Sequence, residues 1–223
     1  MMMVEAGEAD AFITGTYSKY AETIQIAKEV IGIRPGYKHF GAMHIMNTKR
    51  GTYFIADTLI NRKPTTETLV DIAKLAYDSV RFFAQDPVIA MVSYSNFGSD
   101  NLGSPQRVHE AIEILHQQYP EIVIDGEMQM NFALNNKLRD KTYPFNKLKG
   151  REVNTIVFPN LSSANSAYKL MLEMGVAETI GPIQMGLNKP IHFTDIASSS
   201  RDIVNLTTVA VLDAIVQERR NKQ

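Results

Sequence analysis

Cysteine is absent from the 223 residues. That excludes disulfides, thiolate nucleophiles and cysteine-ligated zinc, and is compatible with a reducing, cytoplasmic setting. An excess of either charge is missing too: 23 Lys and Arg stand against 24 Asp and Glu, a net charge of −1 with an isoelectric point near 6.5. Such balance gives no electrostatic reason to bind nucleic acid or an anionic membrane, and no basic block interleaved with aromatics is present. No unbroken apolar run is long enough to span a bilayer. Repeats and low-complexity tracts are lacking. The opening stretch MMMVEAGEADAFI has no basic n-region, and Glu5, Glu8 and Asp10 interrupt its apolar residues, so it does not read as a secretory signal. It reads instead as the interior of a longer chain.

What is present is an ordinary globular composition, 44% hydrophobic and 21% charged, long enough for one large domain or two small lobes. Strand and helix signals alternate. Residues 11–14 predict a strand and 20–31 a helix stopped by Gly32, and 41–46 with 52–56 form a hairpin across 47–51. A helix over 66–84 has Pro64 ahead of it and Leu69, Ile72, Ala73, Ala76, Val80 and Phe83 at helical spacing. Then come a strand at 88–93 and a helix opened by Ser104 as cap with Pro105 in its first turn. A strand at 122–124, a short helix at 128–134 and a polar connector over 135–149 follow. Next are a strand at 155–158, a helix at 162–174 and a last helix at 200–219 capped by Ser200. This order predicts an α/β fold with a largely parallel sheet.

Two segments suit a ligand. Residues 181–206 read as a strand, a loop into a second short strand, and a helix beginning with Asp202, a layout that favours anions at a helix N-terminus. Their loop nevertheless carries Asp195 and Ile196 where a phosphate site wants a hydroxyl and a guanidinium. The loop over 93–104, SYSNFGSDNLGS, follows a strand and precedes a helix, but matches neither the dinucleotide nor the P-loop pattern. It is equally well a connector of small residues. Asp125-Gly126-Glu127 offers paired carboxylates, more simply read as a helix cap and its companion, and without a second cluster at metal spacing. Lys189 could neutralise a phosphate, and His192 is the one histidine placed near a pocket; His109 and His116 suit a half-buried stripe. The eleven methionines read as core filling. No serine sits in a nucleophile elbow.

Taken in order, FIADTLIN (54–61), SYSNFGS (93–99), DGEM (125–128), VNTIVFPNLSSAN (153–165), GPIQMGLNKPIH (181–192) and DIVN (202–205) resemble the phosphate acetyltransferase/butyryltransferase family. They look closest to its branch fused to the C-terminus of bacterial NADP-dependent malic enzymes. The resemblance implies a two-lobed α/β/α architecture with an acyl-CoA cleft between lobes, dimeric through the second lobe. Residues 36–190 would be that second lobe, and 1–35 with 191–223 a remnant of an incomplete first lobe. Set against the motifs of active members, Lys19 and Tyr20 stand for a serine and a threonine, Gln25 for an arginine, and Asp195 and Ile196 for a Ser-Arg pair. Asp202 matches the aspartate that assists thiol deprotonation, and Lys189 is kept. Losing a charge-stabilising arginine costs such a reaction several kcal/mol, roughly, and a lysine lacks the guanidinium fork. The resemblance therefore implies a domain that binds acetyl-CoA as an effector without transferring acetyl, with Asp202 the one catalytic candidate if transfer is retained. Lys19, Tyr20, Gln25, Ser93, Ser95, Lys189, Asp195, Ile196 and Asp202 are its candidate ligand contacts. NADP and Mg²⁺ or Mn²⁺ would belong to a malic-enzyme region outside this chain, and no metal is expected within it. The competing expectations are a working acyl phosphate:CoA transferase, with Arg34, Arg201 or an arginine from the missing part of the first lobe filling the gap, and a ligand-free dimerisation domain.

Overall fold

The computed structural model describes residues 1–15, 20–194 and 198–221. A short helix, α1 (Met2–Glu5), precedes β1 (Phe12–Thr14) and α2 (Tyr20–Val30). The chain then lays down β2 (Gly41–Thr48), β3 (Gly51–Ala56), α3 (Thr66–Phe82), β4 (Ile89–Val92), α4 (Gly103–Gln118) and β5 (Ile124–Met128). Two short helices, α5 (Met130–Ala133) and α6 (Asn136–Thr142), lead to β6 (Thr155–Val157), α7 (Leu161–Glu173) and β7 (Ala177–Met185). Finally β8 (Ile191–Phe193) returns to pair in parallel with β1, and α8 (Ser200–Asn221) follows.

The six middle strands form one sheet in the order β5-β4-β6-β3-β2-β7. Strands β5, β4, β6, β3 and β7 all run the same way and β2 alone runs against them, so the sheet is largely parallel, its one opposed strand lying in the expected hairpin. The cause is local. Thr48 pairs directly with Gly51, closing the hairpin on Lys49-Arg50 instead of the longer loop expected, and the Thr48 hydroxyl ties the turn by bonding the Gly51 carbonyl and the Arg50 amide.

The two faces of the sheet serve two apolar layers, by simple alternation except in β5, where the register shifts near Gly126. Met43, Phe54, Met91, Ile124 and Val157 face α3 and α4, and Met46, Ile55, Ala90, Met128 and Ile156 face α5 and α7. Leu69, Ile72 and Leu75 on α3 are almost wholly buried, each worth roughly 2 kcal/mol of apolar transfer. Met43, Met46, Met91, Met128 and Met185 fill the core as expected, whereas Met2, Met3 and Met174 are exposed and do not. A third, smaller cluster joins Val4, Ala27, Ile31, Phe40, Leu187, Ile191 and Phe193 around the β1–β8 pair.

Several boundaries differ from the sequence reading. Helix α4 starts at Gly103 with no side-chain cap, so Ser104 lies inside its first turn; Asp100 instead folds the entry by accepting the Leu102 amide. The polar connector contains α6, capped by the Asn135 side chain accepting from the Leu138 amide. Fully buried Arg139 organises the rest of it, donating to the carbonyls of Leu148 and Arg151 and to the Asn146 side chain.

The chain leaves β3 through α3 toward β4 and leaves β6 through α7 toward β7. The carboxyl ends of neighbouring β3 and β6 thus form a topological switch point between two oppositely directed crossovers.

Candidate functional site

The first candidate is the start of α8. Ser199, not Ser200, caps it: the Asp202 amide donates to the Ser199 hydroxyl oxygen at 3.2 Å, and the Asp202 carboxylate accepts from the Ser199 amide at 2.8 Å and its hydroxyl at 2.7 Å. This is a reciprocal capping box. Asp202, the candidate thiol base, thus has one oxygen committed to holding the helix end. Lys19, Asp195 and Ile196 lie outside the described residues. Tyr20 opens α2, and on its exposed face Gln25 donates to Glu29 at 2.7 Å one turn on. Neither arginine considered as a replacement is free: Arg201 pairs with Glu178 at 2.8 Å and Arg34 with Asp78 at 2.6 Å.

Lys189 and His192 line a small cavity, about 70 Å³, beside Arg34, Asp78, Gln184 and Asp213. His192 is 1% exposed and its Nδ1 accepts the Gln184 amide at 3.2 Å, which leaves the ring proton on buried Nε2. Burial lowers its pKa to about 4, so the ring is neutral at pH 7. Across the same wall the Tyr37 hydroxyl donates to Asp78, and burial with that negative neighbour raises its pKa to about 12.

The loop over 93–104 is stapled to β5. Glu127 is fully buried and accepts from the Ser95 hydroxyl at 2.9 Å and the Gly98 amide at 2.7 Å, while its other oxygen stands 3.3 Å from His109 Nδ1. Ser95 is 1% exposed and its oxygen also accepts the Asp100 amide, so its hydroxyl belongs to the loop and not to a ligand. The Ser93 oxygen accepts the Ser95 amide. Asp125 and Glu127 are therefore neither caps nor a helix-end pair. They sit within β5, where Asp125 accepts the Lys147 amide at 2.6 Å, and its burial pushes the carboxyl pKa up. Backbone geometry decided this: Gly126 lies in the left-handed region, where a Cβ would strike the Met91 carbonyl oxygen.

The described candidates on β4 and after β7 are well separated. Strands β4 and β7 are four spacings apart, about 19 Å, so Ser93 and Ser95 lie far from Lys189. The β3 end carries a different device: buried Asp57 gathers the amides of Ala42, Leu59, Ile60 and Asn61 and the Asn61 side chain, folding the ADTLIN turn. Beyond that turn, Arg62 and Lys63 meet Arg107 at the switch point, residues the sequence reading passed over. Two adjacent cations just ahead of a helix cap were the available signal. Among the described residues no group of three or more His, Cys, Asp or Glu could hold a metal ion, and no helix is long and apolar enough to cross a membrane.

A central sheet wrapped by helices, with polar loops gathered at the carboxyl ends of its parallel strands, defines an α/β protein. The crystal structure of a phosphotransacetylase from Streptococcus pyogenes superimposes with a TM-score of 0.89 at 33% identity, covering 96% of this chain and 65% of that one. Residues 1–211 match the profile of the phosphate acetyl/butaryl transferase family, and the chain belongs to that family. An NADP-dependent malic enzyme of Salmonella typhimurium is 40% identical over 214 residues, 96% of this chain but 28% of that protein. A phosphate acetyltransferase of Mycoplasma capricolum is 33% identical, over 92% of this chain and 64% of that protein. The chain thus spans under a third of the malic enzyme it matches and just under two thirds of the acetyltransferase.

Proposed function

We propose that this chain is the phosphotransacetylase-like region of an NADP-dependent malic enzyme, and that it binds acetyl-CoA as an effector without transferring its acetyl group. The parent reaction would be oxidative decarboxylation of malate to pyruvate, with NADP and Mg²⁺ or Mn²⁺ held by a catalytic region outside these residues, in the cytoplasm. One observation carries the non-catalytic half. Arg34 and Arg201 are each committed to a carboxylate, and Asp202 is committed to Ser199. Acyl transfer to or from phosphate develops negative charge that fixed cations must stabilise, and removing one such donor costs on the order of 3 kcal/mol. Among the described residues, no guanidinium beside Asp202 supplies this.

The residues that would hold an acyl-CoA are the start of α8 and Lys189, whose ammonium suits a phosphate; the thioester itself would be the acyl carrier's chemistry. Lys19, Tyr20, Gln25, Asp195 and Ile196 belong to this proposal through the family resemblance alone. Ser95 is withdrawn from it. Acetyl-CoA would act by binding one conformation of the parent more tightly than another. We place the dimer contact on the second lobe, residues 36–190, with a second copy of the chain as the occupant. The apolar surface around Leu170, Met174 and Val176, all well exposed, supports that assignment. The test is a titration of acetyl-CoA into the full-length enzyme with malate oxidation followed at 340 nm. A saturable change in rate is expected; an unchanged rate with no detectable binding rejects the reading.

Working acyl transfer is the second reading, favoured by the 33% identity to a phosphate acetyltransferase. A thiol-release assay with acetyl-CoA and phosphate separates the two, since robust turnover lost in Asp202→Asn requires transfer.

A further inference from the structure

The connector between β5 and β6 breaks the even balance of charge found over the whole chain. Residues 137–151, KLRDKTYPFNKLKGR, hold six cations and one acid. Arg139 is buried, but Lys137, Lys141, Lys147, Lys149 and Arg151 are all exposed. Spacers separate them along the chain, so no block is evident in the sequence; the fold gathers them. Asp140 on α6 accepts from the Gly150 amide at 2.7 Å and the Asn146 side chain at 3.1 Å. Its neighbour Arg139 reaches the Leu148 and Arg151 carbonyls at 2.8 Å each. Helix α6 and the strap after it therefore lie side by side. Along the strap Asn146 and Leu148 are buried, while the residues that alternate with them, Lys147, Lys149 and Arg151, are exposed.

None of the five exposed cations has a carboxylate within ion-pair distance among the described residues, although this chain pairs Arg34, Arg139 and Arg201. The acids at hand are engaged elsewhere. Asp140 holds the strap, and buried Asp125 accepts the Lys147 amide, not its ammonium. Among these charges Phe145 is 68% exposed, its ring set edge to face at 5.2 Å from Phe97 and 6.0 Å from Tyr143. A large ring held in water by a packed frame offers apolar area for a partner to cover. The like charges around it repel one another until anions join them.

We infer that this patch docks an acidic polypeptide segment of another protein, with one apolar side chain covering Phe145 and carboxylates meeting the cations. An apolar centre ringed by charge is the layout of a protein interface, and the sign of the ring selects an acidic partner. Nucleic acid fits less well. The rings pack edge to face with one another instead of presenting open faces for bases, and four of the five cations are lysines, which lack the guanidinium fork. A net charge of −1 that includes these five cations also leaves the rest of the surface acidic, which repels a long polyanion. The patch is remote from the Lys189 cavity beside β7, since β5 and β7 are opposite edges of the sheet, five spacings or about 24 Å apart.

The inference does not depend on the regulatory reading. It is tested by fluorescence anisotropy of the full chain with a labelled synthetic peptide rich in Glu around a single Trp. Saturable binding that weakens with added salt is expected. Phe145→Ser and the double variant Lys147→Gln/Lys149→Gln should each weaken it roughly tenfold or more. Both lysines are exposed, so the double variant keeps its fold and decides the matter if Phe145→Ser does not. Replacing the peptide's Glu by Gln should abolish binding. No binding, equal binding by the Gln peptide, or binding that the double variant leaves unchanged overturns the inference. A single-stranded oligonucleotide that binds the same residues more tightly than the peptide overturns it in favour of nucleic acid.

Discussion

His192 offers Nδ1 to the Gln184 amide and keeps its proton on a buried nitrogen, so charging it inside the fold is unfavourable. Its pKa falls from 6.5 to about 4 on folding. The sign follows directly: between those values the unfolded chain binds a proton that the native chain refuses, so stability is present above pH 6.5 and is lost as pH falls toward 4. The full swing is about 3 kcal/mol. His192→Asn retains an acceptor for Gln184 but cannot titrate, and its melting temperature should fall less steeply than the parent's across that window. Asp202 makes a second prediction at this scale. Asp202→Ala should cost about 1 kcal/mol through the lost capping box and leave acetyl transfer at the background level of the parent. A large loss of turnover instead would assign it the base role. Sequence alone placed Asp202 at a helix start and Lys189 after a strand because both are local patterns. The partner that occupies Asp202 was one residue from the cap expected, since Ser198, Ser199 and Ser200 are interchangeable on composition.

The loop over 93–104 shows what an element hides from pattern reading. Its glycines and serines suit a phosphate cradle as well as a connector, and the choice is made by Glu127, on a strand that follows it in the chain. Glu127→Ala would leave the Ser95 hydroxyl and the Gly98 amide without their acceptor; a loss of about 3 kcal/mol is expected. Hydrogen exchange should report faster opening of the Gly98 amide than of β4. Equal protection in both proteins would mean the loop holds itself. The helix starting at Asn136 was illegible for a related reason, because its order comes from Arg139 reaching carbonyls as far on as Arg151. Long helices such as α3, by contrast, were plain in the spacing of Leu69, Ile72, Ala76 and Val80.

For the whole molecule, the alternation of elements was legible, and the hairpin over 41–56 announced the one opposed strand; the pairing of β7 with β2 was not legible, since it joins strands far apart in the chain. Assembly belongs to this scale. If a second copy covers the surface at Leu170, Met174 and Val176, light scattering should find a dimer, and Leu170→Lys with Met174→Lys should convert it to monomer. A wild-type monomer at micromolar concentration would count against that contact. The pairing of β1 with β8 bears on manufacture of the chain rather than on its chemistry. Ile13 lies beside His192, so the ladder closes only after residues 191–193 have been synthesised. Contacts of such sequence separation form late and slowly, and a ribosome-bound intermediate stalled before Ile191 should leave Phe12–Thr14 open to protease while the central sheet already resists it.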